Sequence, residues 1–258
     1  MATLSLRLDN SLSNYNYLIY CEDTRDCLVI DPLDVELILE TAEKEKLTIT
    51  QIVNTHEHRD HTGGNEDLQF ATGAHILAHH LARQIIPGFD HGLHAGDMVK
   101  VGSHIALTVL ETPGHTMHSI CLHDKQSHAI YTGDTLFNCG CGNCHNGGDP
   151  EVMFNTFETQ LQHLPDETRI YPGHDYIRHN LGFAKSFQPD LPAIALIEAA
   201  LSDAELYIST LGEDKTVDPF FRLEDPELIQ AIRGKTHLSE QPSRQEVFLA
   251  LRQLRNKW

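Results

Sequence analysis

The stretch Thr55-His56-Glu57-His58-Arg59-Asp60-His61-Thr62-Gly63-Gly64-Asn65 constrains this chain more than any other. Four side chains of metal-ligand type, His56, His58, Asp60 and His61, fall within six residues. They follow the apolar, β-branched run Ile49-Thr50-Gln51-Ile52-Val53, which reads as a buried strand, so the cluster lies where a strand opens into a loop. Imidazole nitrogen and carboxylate oxygen are the donors that suit Zn²⁺, Fe or Mn. One ion rarely takes four ligands from so short a segment, whereas two neighbouring ions can share it. His56 and His58 project one way along the extended backbone, and Asp60 and His61 turn toward the second ion. The segment therefore reads as half of a two-metal site. The bland alternative is a polar surface run that collects metal adventitiously.

Three further loops count against that alternative. Thr112-Pro113-Gly114-His115-Thr116 follows the run 105–110, Tyr131-Thr132-Gly133-Asp134-Thr135-Leu136-Phe137 follows Ala129-Ile130, and Tyr171-Pro172-Gly173-His174-Asp175-Tyr176 follows Arg169-Ile170. In each, Gly directly precedes a ligand candidate, where a close backbone approach or a positive φ is expected. The four loops are expected to meet in one site.

The series T-H-x-H-x-D-H, P-G-H-T, G-D-T-L-F and P-G-H-x-Y resembles the metallo-β-lactamase superfamily and, within it, the glyoxalase II (hydroxyacylglutathione hydrolase) family. The narrower likeness rests on Gly140-Cys141-Gly142, on His174-Asp175-Tyr176, and on a tail with Asp218-Pro219-Phe220-Phe221-Arg222 and the ending Phe248-x-x-Leu251-Arg252-x-x-Arg255-x-x-Trp258. The resemblance implies an α+β fold, an αββα sandwich followed by a C-terminal helical domain. It also implies that His56, His58 and His115 hold one metal ion, that Asp60, His61 and His174 hold a second, and that Asp134 bridges the two. Bound metal lowers the pKa of water to about 7, so a bridging hydroxide is available to attack a thioester carbonyl. The thiolate leaving group needs less acid assistance than an amine, and no Ser-His-Asp or Cys-His nucleophile is required. The implied substrate is an S-(2-hydroxyacyl)glutathione such as S-D-lactoylglutathione, and the cofactors are two divalent ions, zinc by preference with Fe or Mn possible.

Recognition of the anionic glutathione moiety requires a local positive patch on a chain of net charge −18. The last fifteen residues supply Arg244, Arg252, Arg255 and Lys257 against one acid, Glu246. Arg252 and Arg255 share a helical face and match the family's carboxylate-binding pair, although the family usually has Lys at the second position. Tyr176 matches a substrate-contacting tyrosine. The chain departs from the family after Gly142, where Asn143-Cys144-His145 replaces a cation and an aromatic residue, so His145 is the candidate to replace the aromatic contact. Cys139, Cys141 and Cys144 with His145 are read as structural, the alternative being a third metal site or a redox element. Asp175 is either an imidazole-orienting carboxylate or a solvated loop residue. His79, His80, His91 and His94 are expected on the surface or in turns, and His118 lies near a ligand loop.

The same charge argues against nucleic acid or an anionic membrane as partner. No run approaches about eighteen apolar residues and the N-terminus lacks a signal-peptide pattern, which leads to the expectation of a cytoplasmic monomer with reduced cysteines. Strands are expected at 17–20, 27–30, 74–78, 119–123 and 128–131. Asp34 should cap a helix with Val35, Ile38, Leu39 and Ala42 on its apolar face, and Asn65 should open one through Ala71. After Tyr176 the pattern turns helical, with a long helix over 191–211, a start at Asp225-Pro226-Glu227 and a capping box at Ser243-Arg244-Gln245-Glu246. The domain division is set at 1–176 and 177–258. Two rivals stand beside the hydrolase: a mononuclear iron persulfide dioxygenase on the same scaffold, and a non-catalytic metal-binding protein. The complete seven-ligand set and the helical tail argue against both.

Overall fold

The computed structural model describes residues 2–203 and 206–258. Six strands form one sheet in sequence order: β1 (Ala2–Arg7), β2 (Tyr15–Tyr20), β3 (Asp26–Ile30), β4 (Thr48–Val53), β5 (His75–His79) and β6 (Phe89–Leu93). The first three pair antiparallel and β3 to β6 pair parallel. A parallel connection needs a crossover, supplied by α1 (Val35–Glu45) and then by α2 (Arg59–Thr62) with α3 (Asn65–Thr72). Asp34 caps α1 by accepting from the Leu37 N–H, and Lys46 closes it in the left-handed region.

The second sheet has the order β13-β10-β9-β8-β7. It comprises β7 (Met98–Val101), β8 (Ile105–Glu111), β9 (Ile120–Asp124), β10 (Ala129–Gly133) and β13 (Arg169–Pro172), while β11 (Leu136–Phe137) and β12 (Gly140–Cys141) form a small ribbon. Alternation of period two assigns the faces. Tyr17, Ile19, Leu28 and Ile30 meet Leu107, Val109, Leu122 and Tyr131 between the sheets. Leu18, Val29 and Ile52 point out beneath Ile38 and Ala42 of α1 and Leu68 of α3.

The outer face of the second sheet is covered by α4 (Pro150–Thr159) and by the C-terminal helices α5 (Ile177–Lys185), α6 (Pro192–Asp203), α7 (Leu211–Val217), α8 (Pro226–Arg233) and α9 (Arg244–Arg255). Ile130 and Ile170 of the sheet share one core with Phe157 of α4 and Val247, Phe248 and Leu251 of α9. Truncating the fully buried Phe248 to Ala should cost about 3–5 kcal/mol. The layers are therefore α, β, β, α, with a helical C-terminal region packed on the last.

The expected helix over 191–211 is corrected: α6 ends at Asp203, residues 204 and 205 lie outside the described residues, and 206–209 carries no helix. The exposed edge of β13 captures this segment. The Ile170 N–H donates to the Ser209 carbonyl (2.9 Å), and Thr210 bridges Arg169 before capping α7 with Glu213. No helix of the described residues is long and apolar enough to cross a membrane.

Candidate metal centre

The four loops do meet, at the C-terminal ends of β4, β10 and β13 and in the turn after β8. Two glycines make the approach possible. Gly133 adopts φ +49°, and a Cβ there would fall 2.2 Å from Thr55 Oγ1. A Cβ on Gly173 would fall 2.4 Å from Asp134 Oδ1, so no side chain fits between the two loops.

Each imidazole is fixed by what its outer nitrogen touches. His61 Nδ1 lies 2.9 Å from Asp31 Oδ2, and His174 Nδ1 is 2.8 Å from the Leu12 carbonyl. His115 Nδ1 is 2.6 Å from the Asn143 carbonyl, and His58 Nε2 is 2.9 Å from the Asn146 carbonyl. His56 Nδ1 faces Thr55 Oγ1 (3.1 Å), which has given its own proton to Asp31 (2.6 Å) and is left to accept. Carbonyl and carboxylate oxygens only accept, so in neutral rings these five outer nitrogens carry the protons. The inner nitrogens then present bare lone pairs to one another: His56 Nε2 to His58 Nδ1 at 3.1 Å, His115 Nε2 to His58 Nδ1 at 3.0 Å, and His61 Nε2 to His174 Nε2 at 3.1 Å. Facing lone pairs repel unless a positive charge sits among them.

The carboxylates complete two groups. Asp60 Oδ2 lies 3.4 Å from both His61 Nε2 and His174 Nε2. Asp134 turns Oδ1 toward the same pair (3.3 Å to each) and Oδ2 toward His115 Nε2 (3.5 Å). Its Oδ1 is buried without a hydrogen-bond partner, a costly state that a cation relieves. Ligands about 2.0–2.1 Å from a tetrahedral ion stand about 3.3 Å apart, so these separations fit a divalent ion in each group. The electrostatics agree. Burial holds His56 and His115 below the usual imidazole range, keeping their lone pairs free. Burial would also lower His61, but the Asp134 and Asp31 carboxylates outweigh it and favour positive charge there.

The cavity beside the centre measures about 410 Å³ and is lined by Phe137, Cys141, Asn143, His145, Tyr176, His179, Arg252, Arg255 and Asn256. It joins the centre directly: the Tyr176 ring stacks flat on His174 (centroids 4.8 Å, 1°), and the Asn143 backbone holds His115. Burial, reinforced by Asp134 and Asp60, pushes the Tyr176 phenol up to about 12, so it stays a donor. Arg255 donates to His179 Nε2 (3.0 Å) and Asn180 Oδ1 (3.0 Å). Arg252, only 4% exposed, donates to the carbonyls of Cys141 (3.1 Å) and Gly142 (2.9 Å) and to Asn256. Both guanidiniums are thus bound to neutral acceptors.

Several expectations are revised. Asp175 orients no imidazole: it pairs with Arg7 (2.8 Å), and Asp31, which sequence reasoning passed over, takes that role at His61. His79 is buried rather than superficial, because as the last residue of β5 it turns inward and accepts from the Leu81 N–H. His118 joins neither group and binds Glu57 (3.0 Å). Cys139 packs with α5 and α6 while Cys141 packs with α9, and among the described residues neither belongs to a metal-ligating group, nor does Cys144. Burial pushes the Cys141 thiol to about 12 and Cys144 to about 11, which makes both poor nucleophiles. His179 and Asn256 are additional cavity residues that no motif marked.

A sequence model of the Metallo-beta-lactamase superfamily matches residues 12–174, and one of the Hydroxyacylglutathione hydrolase C-terminus matches residues 175–258. A hydroxyacylglutathione hydrolase of Nitrosococcus oceani is 51% identical over 254 residues, covering 96% of this chain and 97% of the relative. One from Polaromonas sp. is 47% identical over 255 residues, with 96% and 97% covered. Among solved structures, ETHE1 from Myxococcus xanthus superposes with a TM-score of 0.69 at 26% identity, over 99% of this chain and 98% of its own. BLEG-1 B3 metallo-beta-lactamase has a TM-score of 0.68 at 20% identity, over 86% of this chain and 100% of its own, a likeness of fold alone.

Proposed function

The chain belongs to the hydroxyacylglutathione hydrolases of the metallo-β-lactamase superfamily, and we infer that it hydrolyses an S-(2-hydroxyacyl)glutathione to a 2-hydroxy acid and glutathione. The observation that carries this reading is a cavity with two guanidiniums, bound only to neutral acceptors, lying against paired groups of converging lone pairs. The fold binds divalent metal. The finer assignment is one ion held by His56, His58 and His115, a second held by Asp60, His61 and His174, and Asp134 offering an oxygen to each. Zinc suits these donors best, and Fe or Mn share the preference for nitrogen and oxygen. When bound, such ions supply an activated water and polarise the thioester carbonyl.

The chain's own residues do the rest. Asp134 sets the spacing between the two groups. Asp31, Thr55 and the carbonyls of Leu12, Asn143 and Asn146 keep each imidazole in the tautomer that binds metal. Arg255 offers a charge-assisted contact to a glutathione carboxylate, and Arg252 braces the loop beneath it. Tyr176 donates to the substrate from its stack on His174. Asn143 and His145 stand along the same wall, where a family cation is missing. Residues 1–176 supply the metal ligands and part of the thiol-recognition wall, 177–258 supply its arginines, and the two regions share one hydrophobic core. The six unpaired cysteines suit a cytoplasmic setting, and the cavity suits a small molecule bound by a monomer.

The test is hydrolysis of S-D-lactoylglutathione beside a thioester lacking glutathione, with metal counted on the same sample. Selective turnover of the glutathione thioester with two ions per chain supports the reading. One ion per chain with oxygen uptake would support the dioxygenase instead.

A further inference from the structure

At the end of the sandwich away from the ligand loops, a turn from each sheet meets the other. The metal-ligand loop follows the exit of β4, and β3 runs parallel to β4. The turn that enters β3 at Asp26 is therefore a strand's length away, on the order of 15 Å. That turn carries Cys21 and Asp23, and the turn joining β7 to β8 carries Gly102, Ser103 and His104. Gly102 makes the contact possible: it adopts φ +58°, and a Cβ there would fall 2.4 Å from both Cys21 Cβ and Thr24 Oγ1.

Cys21 is fully buried, and its Sγ lies 3.5 Å from His104 Nδ1 and 3.6 Å from Ser103 Oγ. The same His104 Nδ1 lies 3.4 Å from Asp23 Oδ2. A Cys-His-Asp relay would use opposite ring nitrogens for the sulfur and the carboxylate, so this is not a nucleophile with its base. It is the arrangement of ligands around a common point. With Zn–S about 2.3 Å and Zn–N and Zn–O about 2.0–2.1 Å, tetrahedral angles imply S···N near 3.5 Å and N···O about 3.3 Å. The observed separations are 3.5 Å and 3.4 Å. Burial works against the Cys21 thiolate, but backbone and hydroxyl donors of Thr24 and Ser103 outweigh it and bring the thiol down to about 6. A second group, His79, His80 and Glu111, fails the same examination. His79 Nδ1 accepts the Leu81 N–H, so Nε2 carries the proton and points a hydrogen rather than a lone pair at Glu111.

We propose that Cys21, His104 and Asp23 form a mononuclear zinc site that pins the two sheets together, with water in the fourth position. Binding takes Cys21 as the thiolate already favoured near neutral pH, uses the His104 Nδ1 lone pair with the proton on Nε2, and displaces the Ser103 hydroxyl, which lies 3.6 Å from the sulfur and 3.2 Å from Nδ1. The open side, where Asp23 and His104 are exposed, makes the ion exchangeable.

Cobalt(II) loading of the intact enzyme tests this. A thiolate ligand gives a sulfur-to-cobalt charge-transfer band that a centre of nitrogen and oxygen donors cannot produce, so the band reports this site whatever number of ions the histidine centre holds. The wild type should show the band and bind one ion more than Cys21→Ser, which should lack it. His104→Gln, an exposed change that should leave folding intact, should weaken that ion by more than about tenfold. Thioester turnover should be unchanged in both variants. If Cys21→Ser does not fold, the strength of the band in His104→Gln decides the matter. A wild type without the band at saturating cobalt, or a band that persists at full strength in His104→Gln, overturns the proposal.

Discussion

The histidine centre and the cavity beside it are built differently. In the centre every imidazole has its outer nitrogen committed to a backbone carbonyl, a buried carboxylate or a hydroxyl, and the lone pairs that remain have one direction to point. In the cavity the charged groups lean on neutral neighbours: Arg255 on exposed His179 and buried Asn180, Arg252 on two buried carbonyls and exposed Asn256. The first arrangement leaves no freedom to the reacting geometry, and the second leaves net positive charge unspent for a ligand. Reaction and recognition are thus separable properties of adjoining walls.

The sharpest way to break this comparison is Asp134→Ala. Loss of the carboxylate shared between the groups should lower kcat/KM by on the order of a thousandfold or more, read by steady-state kinetics with metal analysis. Full activity with two bound ions would end its assigned role. Next comes Asp31→Asn, which removes the charge that orients His61 through its outer nitrogen and should cost about ten- to a hundredfold in activity or metal affinity. Asp175→Asn, altering a carboxylate paired with Arg7, should leave both unchanged, and equal losses in the two variants would contradict the assignment.

On the cavity side, Arg255→Ala should raise KM about ten- to a hundredfold with kcat retained, because a contact remote from the thioester is equal in ground and transition states. The effect should vanish for a thioester without glutathione carboxylates. Arg252→Ala should lower kcat as well, since its guanidinium holds the two carbonyls just before Asn143, whose own carbonyl holds His115. A pure KM effect at Arg252 would mean that this brace is idle.

The smallest effect concerns pH. Burial raises the Asp218 carboxyl to about 7, with Oδ2 unpartnered, and burial and Asp218 raise Asp214. The folded chain therefore keeps protons that the unfolded chain has released above about pH 4. Stability should fall as pH rises from about 4 to 7, by up to about 1.4 kcal/mol per pH unit for each such proton. Asp218→Asn should flatten the decline in denaturant titrations, and an unchanged slope would mean that the proton is held elsewhere. Below the transition a neutral Asp218 leaves the two arginines without an internal counter-charge, which sharpens the contrast between the walls.

Much of the centre was legible because its signals are local. Ligand type, Gly spacing and the preceding apolar runs name His56, His58, Asp60, His61, His115, Asp134 and His174 without reference to anything distant. Caps at Asp34, Asp225 and Ser243 were legible for the same reason. What escaped was set by tertiary contact. Asp31 reaches His61 from another strand end, and His179 matters only because α5 lies beside α9. The helix over 191–211 read as continuous because nothing in its composition announces that β13 has a free edge for 209–210 to join. The edge strand β1 was likewise missed, a short element whose apolar residues make sense only against neighbours, and α4 was missed although Asp149-Pro150-Glu151 offers the same local start as Asp225-Pro226-Glu227.

The loop 141–146 divides its labour along each residue. Asn143 and Asn146 lend carbonyl oxygens to His115 and His58, while the Asn143 and His145 side chains line the cavity. Backbone oxygens are present whatever the side chain, so mutation at 143 and 145 can explore new thiols without touching the imidazoles behind them. Gly142 cannot join that exploration, since a Cβ there would fall 2.0 Å from the Asp134 carbonyl oxygen and 2.7 Å from His115 Nδ1. Lineages carrying this loop are free to drift in what they accept and held fast in what they do to it.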